Sequence, residues 1–104
     1  MTLTRDFKDT VKARADRDPA FRKALVAEAV NCLVNNDLET MKTLLRDYIN
    51  ATDGFEFVAA AVKTPSKSLM RMLSPTGNPQ VRTLSPVFRY AVEREGIHGF
   101  AVAA

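Results

Sequence analysis

The chain is cut at short intervals by residue groups that stop one helix and start the next, and this punctuation limits the fold more than any other feature. Asp18-Pro19 and Thr64-Pro65 each set a capping side chain before a proline. A proline costs no hydrogen bond at the first helical position, because the N–H it lacks would have no partner there. Asn35-Asn36-Asp37, Thr52-Asp53-Gly54, the turn-rich run SPTGNP from Ser74 to Pro79, and Gly96 break the chain elsewhere. Between breaks the apolar residues recur at helical spacing. Behind Thr4 as cap they are Phe7, Val11 and Ala15, in a helix reaching about Arg17. In 19–34 they are Phe21, Leu25, Ala29, Cys32 and Leu33; in 38–51, behind Asp37 as cap, they are Leu38, Met41, Leu44, Leu45 and Tyr48. Gly54 suits the left-handed position that closes this third helix, and Leu69, Met72 and Leu73 give the buried side of a short helix over 65–74.

Three stretches leave alternatives. Phe55 to Val62 (FEFVAAAV) has strand-favouring Phe and Val, whereas its three consecutive alanines argue for a helix. The last helix starts near Gln80, with Pro86 inside it as a kink, or at Ser85-Pro86 after a single turn at 81–84. Leu84, Val87, Phe88, Ala91 and Val92 face inward in either case. The apolar tail IHGFAVAA, 97–104, allows a short strand, a dimer contact or fraying.

With 104 residues there is room for one domain. The expectation is a compact all-α unit of five to six helices: N-terminal helices in 1–53, a helix pair and a following helix in 54–96, and a tail in 97–104. Cys32 is the only cysteine, so the fold has neither an internal disulfide nor a Cys/His zinc site, and packing alone must hold it. Cys32 itself reads as a buried packing residue, and Met41, Met70 and Met72 as fillers. No apolar run is long enough to cross a bilayer and the N-terminus is charged, so a cytoplasmic protein is expected.

Signatures of catalysis are missing: there is no glycine-rich phosphate loop, no nucleophile elbow and no metal-spaced ligand set. His98 has no base or nucleophile near it in sequence, and Asp6, Asp9, Asp16 and Asp18 alternate with Arg and Lys as on an exposed helix face. No enzyme activity, metal or cofactor is expected. Charge points elsewhere. Residues 1–53 carry nine basic and nine acidic side chains, while 54–104 carry six basic against three acidic, and no carboxylate lies between Phe57 and Val92. A polyanion approaching that stretch meets Lys63, Lys67, Arg71, Arg82 and Arg89 with no acidic side chain from the same run. Two short helices, Phe55–Val62 and Pro65–Ser74, lie in it with a break of two or three residues. That is the arrangement by which proteins set a helix in the DNA major groove. Ser66, Lys67, Met70 and Arg71 project away from the Leu69/Leu73 side: Lys67 and Arg71 can donate to guanine or to phosphate, Ser66 can reach either, and Met70 can pack on a thymine methyl.

The segment GFEFVAAAVKTPSKSLMRMLSPTGNPQVRTLSPVFRYAVEREG resembles the Cro/cI-like (XRE-type) helix-turn-helix family, and within it the addiction-module antitoxins of HigA type. Leu73-Ser74-Pro75-Thr76-Gly77-Asn78-Pro79 is the most specific match, and Asp18-Pro19 and Asn36-Asp37-Leu38 extend the likeness toward the N-terminus. The resemblance implies a lambda-repressor-like domain in which Ala59 sits where the two motif helices cross and Leu69 is the buried residue of the reading helix. Two residues depart from the pattern: Lys63 replaces the usual turn glycine, and Pro65 the serine that commonly caps the reading helix, which leaves Thr64 as an alternative cap. The resemblance also implies repression of transcription as a homodimer on double-stranded operator DNA, with reading helices about 34–36 Å apart, and binding of a small RelE/ParE-like toxin. The candidate interface is Thr64, Ser66, Lys67, Met70 and Arg71, with Thr76, Asn78 and Arg82 touching phosphates. Its rivals are a stand-alone phage-type repressor without a toxin and a helical protein-interaction module that does not bind DNA.

Overall fold

The computed structural model describes residues 5–99, and the side chains of residues 10–99. Six helices follow in order: α1 (Arg5–Arg17), α2 (Pro19–Val34), α3 (Leu38–Ala51), α4 (Phe55–Val62), α5 (Ser66–Met72) and α6 (Val81–Glu95). No strand occurs among the described residues. Thr4, the side chain of Phe7 and the tail from Phe100 onward lie outside the described residues. None of the described helices is long and apolar enough to cross a membrane.

The punctuation works as its chemistry dictates. The Asp18 carboxylate accepts from the Phe21 N–H at 3.1 Å with Pro19 opening α2, and Asp37 accepts from the Thr40 N–H at 3.3 Å. Asn36 takes a left-handed conformation, φ 63°, to turn the chain from α2 into α3. Gly54 departs from expectation. Thr52 caps the end of α3, and Gly54 is the N-cap of α4 at φ 84°, ψ 159°, a region open only to glycine. Its N–H still reaches back to the Ile49 carbonyl at 2.8 Å, so one residue serves both helix ends.

The run Phe55–Val62 is helical: Phe55, Val58 and Ala59 are buried on one side, and Val62 is half-buried one turn further on. Phe57 stays 60% exposed, in an edge-type contact with Tyr90, the ring centroids 6.4 Å apart. α6 starts at Val81 and runs unbroken through Pro86, whose ring is on the exposed side. Gly96, left-handed at φ 67°, ends it. Residues 97–99 form no strand.

α2 and α3 form the main helix pair; α6 packs on α2 and α4, α1 on α2 and α3, and α5 on α4. The core gathers Val26, Ala29 and Cys32 from α2, Met41, Leu45, Tyr48 and Ile49 from α3, and Leu84, Val87 and Ala91 from α6. Burial raises the Cys32 thiol above its ordinary range, as expected of a packing residue. Two residues expected on the inward stripes are exposed; Phe21, Leu25, Leu44, Met72, Phe88 and Val92 are half-buried, and Met70, read from composition as a filler, is exposed. Leu33 and Leu38 are 36% and 38% exposed, beside Val34 at 56%. They sit at the corner between α2 and α3, where the chain reverses and no described helix covers them.

A polar network ties the ends of the bundle together. The Glu95 carboxylate, 2% exposed, accepts from Tyr48 Oη at 2.5 Å, Arg22 Nε at 3.0 Å and Arg94 Nη1 at 2.6 Å. Asp53 accepts from Arg94 Nε at 2.8 Å and from the Tyr90 hydroxyl. Arg22 also donates to the Ala15 carbonyl at 2.5 Å, which brings in α1.

Lys63, between α4 and α5, has φ 57° and ψ 43°, the left-handed region that disfavours a side chain. Lys63→Gly is therefore expected to stabilise the protein by about 1 kcal/mol in denaturant melting. A loss of stability instead would show that the lysine stem packs usefully.

Candidate nucleic-acid interface

α4 and α5 are joined by only three residues, Lys63, Thr64 and Pro65. The Lys63 backbone turns left-handed, and the Thr64 N–H closes the end of α4 on the Ala59 carbonyl at 3.0 Å. Ala59, on α4, is buried. The caps differ from expectation. Pro65 is the N-cap of α5, not its first helical residue, and no side chain caps the helix; the Thr64 hydroxyl instead leans back to the Val62 carbonyl at 3.5 Å. A proline in extended conformation, φ −55° and ψ 138°, offers its carbonyl to the Leu69 N–H at 3.0 Å, which suffices to start seven residues of helix. That helix ends at Met72, short of Ser74.

α5 rests on Leu69 and Leu73, both 0% exposed. At about 100° per residue Lys67 and Arg71 then point outward, Ser66 and Met70 to one flank, and Ser68 and Met72 to the other. Lys67 and Arg71 are exposed and Met70 is 49% exposed. Lys63, Lys67, Arg71 and Arg82 form no ion pair with any described residue. By contrast Arg89, the fifth cation of the carboxylate-free run, pairs with Glu93 at 2.9 Å.

Ser66 behaves differently from its neighbours. Its hydroxyl donates to Glu56 Oε1 at 3.0 Å, so folding brings a carboxylate from α4 to the start of α5 although none lies nearby in sequence. That acidic oxygen restricts which groups can approach Ser66, since it repels phosphate and accepts only from a donor such as a cytosine amine.

On the other flank α5 and the loop before α6 enclose an open recess of about 490 Å³. Four of the expected residues meet there: Thr64, Arg71, Thr76 and Asn78. Ser68, Gln80 and Thr83, which spacing alone did not single out, complete its polar wall, with Met72 the one large apolar side chain. Lys67, Met70, Ser66 and Arg82 lie outside it.

The loop itself is held from α3. Lys42, 3% exposed, donates from Nζ to the Pro75 carbonyl at 3.1 Å and the Gly77 carbonyl at 2.8 Å, and pairs with Glu39 at 3.1 Å. Arg46 Nη1 donates to the Leu73 carbonyl at 2.9 Å, satisfying the end of α5. Neither residue was among the expected ones, yet Lys42 carries a visible signal: it falls in helical register with Leu38, Leu45 and Ile49, on an otherwise apolar stripe. A cation there must have oxygen partners supplied by another part of the chain.

No protein-family model, no curated protein and no solved structure matches this chain.

Proposed function

We propose that the protein is a sequence-specific DNA-binding repressor that reads the major groove with α5. One observation carries this reading: a short helix on a three-residue turn, seated on α4, presents outward Lys67 and Arg71, exposed and without an ion pair among the described residues. Lys63 and Arg82, also exposed and without an ion pair among the described residues, add positive charge. The antitoxin resemblance extends the proposal to a two-fold dimer and a small toxin partner. The uncovered corner formed by Leu33, Val34 and Leu38 is the surface we assign to such a protein contact.

Selection of bound sequences from random duplexes is expected to return a palindrome. Gel shifts on the selected duplex should show affinity falling about 10³–10⁵-fold between 50 and 200 mM salt, as for on the order of 6–10 neutralised phosphates. The double variant Lys67→Ala/Arg71→Ala is expected to bind roughly 100-fold more weakly with unchanged helical circular dichroism, given about 1–3 kcal/mol for each good contact. A wild-type protein without salt-sensitive duplex affinity removes the proposal and leaves the protein-interaction reading.

A further inference from the structure

We infer that the recess beside α5 is the seat of a single backbone phosphate, and that Arg71 therefore holds the duplex in register while base discrimination falls to Lys67 and Met70. This rests on the duplex-binding reading above and divides its residues into two roles.

The chemistry of the wall is one-sided. Among the described residues Arg71 brings the only charge; Thr64, Ser68, Thr76 and Thr83 bring hydroxyls, and Asn78 and Gln80 bring amides. No described carboxylate lines it. Every one of those groups can donate a hydrogen bond, and a phosphodiester offers two oxygens that only accept, with one negative charge to meet the guanidinium. A guanine edge also offers two acceptors, but it carries no negative charge and lies in the groove, ahead of the outward face of α5, whereas this recess opens to the flank. The phosphate chain of the same duplex passes on that flank. Gln80, the N-cap of α6, makes no capping bond with its side chain, so its amide is available. The opposite flank could not serve: there Ser66 is held by Glu56, whose charge opposes a phosphate.

The floor of the recess is rigid enough to specify a position. Gly77 lies so close to the end of α5 that a Cβ would come within 3.0 Å of the Arg71 and Met72 carbonyl oxygens. Lys42 holds Pro75 and Gly77 from beneath. The Thr76 and Asn78 side chains thus stand at set distances from Arg71, and the register of the duplex against α5 follows from where the phosphate sits.

Three measurements test this on the full chain. Arg71→Ala should reduce the steepness of the salt dependence by about one unit and weaken all duplexes alike, whereas Lys67→Ala should relax preference at one base pair. A scan of the selected duplex with single neutral methylphosphonates should find one position that weakens the wild type roughly tenfold and scarcely affects Arg71→Ala. Inorganic phosphate alone should shift the amide resonances of Ser68, Thr76 and Thr83 in the wild type and not in Arg71→Ala. Arg71 is exposed, so its loss leaves the core intact. Duplex binding in which Arg71→Ala changes base preference and couples to no single phosphate overturns the inference and leaves the repressor reading standing. Shifts with inorganic phosphate but no salt-sensitive duplex affinity overturn the assignment of that phosphate to DNA. No response in either titration overturns both.

Discussion

Glu95→Ala is expected to lower stability by about 3 kcal/mol, near the lower end of what the loss of one partner costs in a buried charged cluster. For a chain of this length that is a fall of roughly 12 °C in melting temperature. The carboxylate is the common acceptor for Tyr48, Arg22 and Arg94, so its removal strands donors from α2, α3 and α6 at once. The two arginines retain some access to water, at 19% and 30% exposure, which keeps the figure from the top of the range. Acid should expose the same cluster. Burial pushes the Glu95 carboxyl up, but hydrogen bonds from Tyr48, Arg22 and Arg94 outweigh it and hold the group below its ordinary 4.5. At Asp53 burial likewise raises, and the bonds from Arg94 and Tyr90 again prevail, to below 3.8. Groups depressed in the folded state stabilise it above their unfolded values and lose that contribution as pH falls through the folded ones. Wild-type stability should therefore decline below about pH 4.5, and the gap between wild type and Glu95→Ala should narrow there. An alanine variant that melts with the wild type at neutral pH would mean that water replaces the carboxylate without loss.

Gly77→Ala is the second large effect, expected at about 2–3 kcal/mol by the cost of forcing atoms into filled space. The atoms a methyl group would strike are the carbonyls of Arg71 and Met72, and backbone cannot swing aside as a flexible side chain can. Either α5 or the loop must move, and the bond from Lys42 to the Gly77 carbonyl must move with it. Gly99→Ala is the matched control, because no atom of the described residues, its chain neighbours aside, lies within 4 Å of its added Cβ. Equal melting temperatures for the two variants would show that the loop accommodates a side chain. On the proposed function, Gly77→Ala should also weaken duplex binding at temperatures where it is fully folded.

Helix boundaries were legible in the sequence wherever a boundary is a local matter. A carboxylate three residues before a helical N–H, or a proline that cannot donate, acts within one turn of chain, and α2 and α3 start where Asp18 and Asp37 say they should. The buried sides of α5 and α6 were legible too, since periodicity reports which face turns inward. Leu33 and Leu38 were misplaced because periodicity cannot tell whether a neighbour exists to cover that face. Thr64-Pro65 looked like Asp18-Pro19, but the Lys63 turn withdraws the threonine hydroxyl toward Val62 and leaves Pro65 as the cap. The cationic face of α5 was read correctly as exposed; the recess on its flank was not anticipated, because Ser68, Gln80 and Thr83 are unremarkable until the loop folds against them.

The sequence by itself determined the all-helical class, the starts of α2 and α3 and the excess of positive charge in the second half, because capping, helix propensity and charge depend on near neighbours along the chain; it left open whether 55–62 is helix or strand and where α6 starts. Tertiary structure alone decided the polar contacts between elements. Lys42 and Arg46 hold a loop some thirty residues away, Glu95 gathers partners from α2 and α3, and Glu56 meets Ser66 across a turn. Such contacts are set by which helix faces pack together, and no local rule encodes that choice.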